Sequence, residues 1–442
     1  MMAKYNKIIC CFTKNQYLCD MKHLSPLLIF LLSYLGLCIL GNDFSHSSIT
    51  LIAFLVASIY AVSITPGPID QRINKFSSGA GSPTVLLMVW IYVMAGAFAY
   101  CAKQMGCIEA TVDMTLHLLP PSLLLPGIFL AACFVSLAVG TSVGTIIQLT
   151  PIAVGIATKT DISMPLMVAI VVGGAYFGDN LSFISDTTIA ATQTQGCQMR
   201  DKFRANLLLV LPVAITMLII YYILGQDAQL LQDPRPLDLT LVLPYLAVII
   251  ISLCGVNVML VLLIGILLTG AIGLIRGSFG LFGFTDTLGT GMIGMGEMIL
   301  MAMFAAGLLE LIRQNGGIEF MLKYLTRGIR TRQSAELSIA TLVCMVNVCT
   351  ANNTVAILTA GPIAKRIADK YGISPRRSAS ILDTVSCFTQ GLLPYGVQLL
   401  FAANLVTQLT GEAMSPASII PFLFYPMGIG IAVLVSTLFR KS

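Results

Sequence analysis

Apolar runs of about twenty residues, one after another, constrain this chain more than any other feature, because that is the length a helix needs to cross a bilayer. The runs 24–41, 47–65, 84–102, 204–224, 240–255, 257–275, 288–312 and 418–438 each read as one crossing. Across 442 residues, 57% are hydrophobic and only 10% charged, where a soluble domain carries roughly 25% charged residues. No single soluble core hides that much apolar surface. The expected fold is therefore all-α: a polytopic membrane protein of roughly 10–13 transmembrane segments with lipid as its outer partner.

The net charge of +5 matters less than its placement. Lys and Arg fall in short loops between apolar blocks, which is an orientation signal and not a nucleic-acid surface. Twelve cysteines are scattered, many inside apolar runs (Cys38, Cys133, Cys254, Cys344), with no CxxC pair. They read as small packing side chains. The three histidines, His23, His46 and His117, lack metal-ligand spacing. Residues 1–23, with Lys4, Lys7, Lys14 and Lys22, read as a cytoplasmic segment and not a cleaved signal. Met21 opens MKHLSPLLIF, which itself reads like a natural start.

Two regions depart from plain apolar runs. In 121–195 the breaks are GTSVGT at 140–145 and GDNLSFISDTT at 178–188. In 335–406 they are TANNT at 350–354 and TQGLLPYG at 389–396. Bare backbone polar groups cannot face lipid, so broken helices at that depth must be buried in protein or line a wet cavity.

The two regions match. A shift of 211 residues lays Pro151-Ile152-Ala153 on Pro362-Ile363-Ala364, Ile162-Ser163 on Ile373-Ser374, and Phe177 and Leu181 on Phe388 and Leu392. Upstream, a shift of 210 lays Gln104, Gly106, Ile108 and Glu109 on Gln314, Gly316, Ile318 and Glu319. Loop charge orients the copies. Residues 103–120 hold Lys103 alone, against Arg313, Lys323, Arg327 and Arg330 in 313–330. Residues 154–166 hold Lys159, against Lys365, Arg366, Lys370, Arg376 and Arg377 in 365–377. The third pair reverses: 196–206 hold Arg200, Lys202 and Arg204, and 407–417 hold none.

Basic loops stay cytoplasmic, so each matched loop changes side, the pattern of an inverted repeat. The expected organisation is a cytoplasmic segment 1–23, a helix pair 24–83, repeat 1 at 84–224, connecting helices 225–287 and repeat 2 at 288–442. Each repeat contains a helical hairpin (121–158 and 335–368), re-entrant or fully spanning, and a broken helix (163–195 and 378–406). Arg72 and Lys75 mark a cytoplasmic loop, and Arg440 and Lys441 a cytoplasmic C-terminus. The expected location is the cell (cytoplasmic) membrane.

The densest chemistry lies in the first broken helix: Asp179, Asn180, Ser182, Ser185, Asp186, Thr187 and Thr188 within ten positions. A carboxylate at membrane depth marks an ion or proton path by default. Hard cations such as sodium take oxygen ligands, which these side chains and unwound carbonyls supply. Two carboxylates close together in a poorly solvated site repel, and a proton or a sodium ion each relieves that repulsion. Mutual exclusion at one site, combined with alternating access, is enough for exchange. A plainer reading has one Asp only capping a half-helix.

Thr141 and Ser142 at the first hairpin tip and Asn352, Asn353 and Thr354 at the second are ligand candidates, or else satisfy the turns. Gln390 occupies the position of Asp179 in the second copy. Second-tier candidates are Glu297 and Asp383; Asp383 either faces the cavity or pairs with an Arg. Glu310 beside Arg313 reads as an i,i+3 ion pair. Gly289, Gly291, Gly294 and Gly296 read as close helix packing. No P-loop supports ATP drive. An intramembrane protease lacks its motif here, since the local string is YFGD and HExxH is absent. No enzyme and no cofactor are expected.

GDNLSFISDTT resembles the GD-x-x-SP-x-SDTT signature of the NhaC-type sodium/proton antiporters, within the ion-transporter superfamily, and the resemblance extends from about residue 85 to 438. Phe183 stands where that family usually has Pro. The resemblance implies sodium and protons as transported ions, with Asp179 and Asp186 on the sodium ion. It also implies inverted repeats around a midplane site and, as in many superfamily members, a homodimer. The family also holds carboxylate exchangers and members that look like amino-acid transporters, so the alternative is a sodium- or proton-coupled carrier of a small amino acid or carboxylate.

Overall fold

The structure, a computed structural model, describes residues 24–41, 47–317 and 329–439. The N-terminal segment 1–23, His46, Ile318, Glu319, Lys323, Arg327, Arg440 and Lys441 lie outside the described residues. Among the described residues regular structure is helical, apart from an isolated bridge between Thr160 and Leu230. Eight helices among the described residues are long and apolar enough to cross a membrane, nine if the pair Pro416–Phe422 and Phe424–Leu438, bent by 56°, is one span. Ser25–Leu40, Ser48–Ile64 and Leu239–Leu253 are shorter apolar helices.

Two loops expected to be irregular carry helices. Cys107–Leu118 forms because Ile108, Val112 and Leu116, four residues apart, present one face that is buried. Ile69–Ala80 lies between the second and third apolar helices, with Asp70 in its first turn, where the macrodipole favours an acid. The run 288–312, expected to be one helix, divides into Leu281–Ile293 and Gly296–Gln314. The division falls in the glycine-rich tract, where helix propensity is lowest.

The chain divides into two compact units. In the first, whose described residues fall within 24–41, 48–86, 300–317 and 329–330, Phe30 stacks on Phe54 with ring centroids 4.2 Å apart. Asn315 Nδ2 donates to Thr65 Oγ1 at 2.8 Å, and the bare Cα of Gly307 makes room for the Phe76 ring. The Glu310–Arg313 pair is present at 2.9 Å.

The second unit holds both hairpins and both broken helices. Here Gly96 and Gly291 pack backbone to backbone, so that a Cβ on either would strike the other's carbonyl, and Gly294 packs against Gln408. Gly289 and Gly296 have no such neighbour. The packing expectation therefore holds for two of the four tract glycines.

The match at 211 residues extends to the helix boundaries. Ser142–Lys159 corresponds to Asn353–Lys370, Met164–Leu181 to Pro375–Leu392, and the start at Asp186 to the start at Val397. The turns between hairpin arms match as well. Gly140 and Ala351 both adopt the left-handed conformation (φ 74° and 51°), followed by Thr141 and Asn352 as N-caps. Thr141 Oγ1 accepts from Gly144 N, and Asn352 Oδ1 from Val355 N.

One long-range bond recurs at matched positions, and a second recurs at its acceptor only. Ser136 Oγ donates to the Ala175 carbonyl, and Asn347 Nδ2 to that of Ser386. The Leu137 carbonyl accepts from Ser182 Oγ, and the Val348 carbonyl from Tyr395 Oη. Burial separates the broken helices from the rest. In Met164–Gln195, 89% of the most apolar stretch is buried in protein, against 28% in the unbroken Met199–Leu224. The interrupted backbone is thus kept off the outer surface, as its unpaired polar groups require.

Candidate functional site

The first broken helix ends its leading half at Leu181 and restarts at Asp186, with Ser182–Ser185 between. Asp179 lies in the last turn of the leading half. Gly178 beside it lacks a side chain because a Cβ there would run into Ser136, so the first hairpin arm packs directly on the break. The Asp179 carboxylate is 3% exposed. Oδ1 accepts from the Ser142 N–H at 3.1 Å and from Ser185 Oγ at 3.4 Å. Oδ2 accepts from Asn353 Nδ2 at 3.4 Å. All three donors are neutral.

Ser142 and Asn353 are the first residues of the returning arms of the two hairpins. Both tips therefore meet at one carboxylate. From the first tip the donor is a helix N-terminal N–H, that of Ser142, at an end whose macrodipole stabilises negative charge; from the second it is the side-chain amide of Asn353. The Asp179 carbonyl accepts from Thr187 Oγ1 at 3.1 Å and Thr188 Oγ1 at 3.2 Å, and Ser185 Oγ lies 2.9 Å from Thr187 Oγ1. The result is a buried set of carboxylate, hydroxyl and carbonyl oxygens, the donor chemistry a hard cation takes.

The structure separates the other candidates by role. Asp186 is exposed and opens the half-helix Asp186–Gln195, where an acid in the first turn complements the macrodipole. Of the two aspartates Asp179 is buried and Asp186 exposed. Ser182 ties the break to Leu137. Thr141 and Asn352 are caps, and Thr354 contributes a backbone N–H to Asn353 Oδ1. Glu297 lies half-buried at the start of Gly296–Gln314.

Gln390 is buried at the second break. Its Nε2 donates to the Ala351 carbonyl at 2.7 Å and to Gln398 Oε1 at 2.9 Å, and Gln398 Nε2 reaches Ser142 Oγ at 3.1 Å. An amide chain thus connects the second broken helix to the first hairpin tip.

Asn180 and Asp383 belong to a second buried cluster. Asp383 pairs with Lys202 at 2.7 Å and not with an Arg. Lys202 Nζ also donates to the Asn180 carbonyl (2.8 Å) and Thr188 Oγ1 (2.6 Å). Asn206 Nδ2 donates to the Asn180 carbonyl and to Asp383 Oδ2, both at 2.8 Å. Lys202 was counted above as a loop charge. It is in fact buried in Met199–Leu224, because a fully buried carboxylate draws it inward.

Two further loop charges are likewise spent on buried partners, Lys159 on Asp113 and Arg377 on Glu336. With those three set aside, Arg200 and Arg204 remain exposed in 196–206, and Lys365, Arg366, Lys370 and Arg376 in 365–377, so the charge asymmetry between matched loops persists. Lys202, Asn206 and Gln398 were not singled out in the sequence. The four-residue spacing of Lys202 and Asn206 on an apolar helix, and the register of Gln398 with Thr187, were the available signals.

A sequence profile described as "Na+/H+ antiporter family" matches residues 21–226 and 238–437. The Na(+)/H(+) antiporter NhaC of Bacillus subtilis is 24% identical over 402 residues, covering 82% of this chain and 84% of its own. NhaC of Alkalihalophilus pseudofirmus is 25% identical over 348 residues, covering 72% and 75%. The Malate-2H(+)/Na(+)-lactate antiporter of Bacillus subtilis is 21% identical over 387 residues, covering 80% and 81%.

Proposed function

The chain belongs to the Na+/H+ antiporter family, and from that premise we propose that it exchanges sodium ions for protons across the cell membrane by alternating access at Asp179. The observation that carries this reading is the buried Asp179 carboxylate, held by neutral donors only, where the first break meets both hairpin tips. An ionised carboxylate kept from water must be neutralised. A sodium ion does so with help from the Ser185 and Thr187 oxygens, and a proton does so alone. One carboxylate cannot hold both, and mutual exclusion couples the two flows.

Alternating access draws support from the matched halves. The uneven share of basic residues between matched loops supports opposite orientations for repeat 1 and repeat 2 and cytoplasmic termini. Rocking of one set of elements against the other then exposes Asp179 to each side in turn. The test is sodium-driven proton movement in proteoliposomes, read by a pH-sensitive dye. Sodium pulses are expected to shift internal pH with the wild-type chain. An Asp179→Asn chain that still does so overturns the proposal.

A second reading has a specific observation behind it. One relative is named a malate/lactate antiporter, and the neutral Gln390–Gln398–Ser142 chain offers amide groups of the kind that hold an organic carboxylate. Uptake of labelled carboxylates or amino acids without independent sodium/proton exchange would favour it.

A further inference from the structure

We propose that Lys202 is a permanent internal counter-charge for Asp383, so that the site exchanges a single positive charge in each direction and transport is electroneutral. This rests on the sodium/proton reading above and adds its stoichiometry.

The argument is a charge count at the breaks. A lysine ammonium has three donors and no acceptor, and each donor of Lys202 has a partner: Asp383 Oδ2, the Asn180 carbonyl and Thr188 Oγ1. These partners come from the second broken helix and from both halves of the first, so the ammonium is gripped from three elements. The Asn180 carbonyl belongs to the C-terminal end of Met164–Leu181, where the macrodipole favours a cation. Side-chain exposures of 1% for Lys202 and 0% for Asp383 leave no water to replace either partner. Removing one member would strand a buried charge, which is far costlier than keeping the pair.

Asp383 is thus neutralised in place through Oδ2 by the Lys202 ammonium, while its Oδ1 has no hydrogen-bond partner. Asp186 is exposed and sits at the positive end of its half-helix. One buried negative charge remains uncompensated, on Asp179. Sodium or a proton brings the site to the same net charge, so the loaded site carries no net charge in either direction. One ion enters for one that leaves, and the membrane potential does no work on the cycle.

The experiment uses the full chain in proteoliposomes with potassium diffusion potentials set by valinomycin, reading pH-driven uptake of radioactive sodium. The wild-type initial rate and final accumulation are expected to be the same at inside-negative and inside-positive potential. Accumulation that follows the potential overturns the inference.

Two variants test the pair itself. Asp383→Asn leaves Lys202, which is bonded to the carbonyl of Asn180 next to Asp179, without its ionic partner and is expected to raise the KM for sodium by roughly tenfold or more. Lys202→Gln/Asp383→Asn removes both charges and is expected to bring that KM back to within about threefold of wild type, still insensitive to potential. A double variant as impaired as Asp383→Asn, or one whose accumulation now follows the potential, contradicts the assignment. If the wild-type chain moves sodium without moving protons, it is the functional reading that falls, and this stoichiometry with it.

Discussion

The two hairpin tips share a backbone plan and differ in what they offer the site. At the first, the broken helix presents Asp179, which accepts the Ser142 N–H. At the matched position of the second it presents Gln390, which donates to the Ala351 carbonyl. The direction of the hydrogen bond is reversed. An acid facing a helix N-terminus creates a place for a neutralising cation. An amide facing a carbonyl makes a neutral contact that calls for no counter-charge, although Gln390 Oε1 is left without a partner. The two similar cradles thus differ in side-chain chemistry: one suits a cation and the other a neutral latch.

That contrast breaks most sharply at its centre. Asp179→Asn is expected to reduce sodium-driven proton flux to the level of empty vesicles. Gln390→Ala is expected to keep flux within about tenfold of wild type while losing about 1–3 kcal/mol of stability for the unpaired Ala351 carbonyl. Equal losses of transport in the two would mean that both cradles bind the ion. Next in size is the tip asparagine pair. Asn353→Ala removes a direct contact to Asp179 and is expected to raise the sodium KM by about tenfold. Asn352→Ala removes a cap and is expected to lower thermal stability by about 1 kcal/mol with KM unchanged.

Asp186→Asn should fall well short of Asp179→Asn, slowing flux by no more than about fivefold, because an exposed first-turn acid contributes only tenths of a kcal/mol to about 1 kcal/mol. Flux measured across a sodium titration ranks the two aspartates. The smallest effects lie in the turns. Gly140→Ala adds both a left-handed penalty and a clash with Ile184, so its melting point should fall. Ala351→Gly relieves the same penalty at the matched position and should gain up to about 1 kcal/mol. Melting of the purified variants in detergent checks the opposite signs.

Much of this architecture is legible in local pattern. The breaks announce themselves as polar, glycine-containing strings inside apolar runs, and the structure's helix boundaries fall on them. The hairpin turns are legible because a left-handed residue followed by a Thr or Asn cap is encoded within four positions. Glycine and charge statistics are weaker guides. The tract 289–296 reads as uniform close packing, yet only Gly291 and Gly294 have a neighbour close enough to require it. Lys202 reads as one more loop charge because its three-residue neighbourhood is basic, and nothing local reveals a carboxylate waiting 181 positions away.

What the sequence determined by itself is the class of the protein, the two matched halves and the acidic break at 178–188. Each follows from short-range rules: length of apolar runs, helix punctuation and the high cost of polar backbone in lipid. What only the tertiary structure decided is which polar groups meet. Asn353 comes to Asp179 across 174 residues, Lys202 neutralises Asp383, and Asp186 turns away from the buried site. Such pairings depend on how helices pack, and the energy that selects them, compensation of buried charge, has no signature in the order of neighbouring residues.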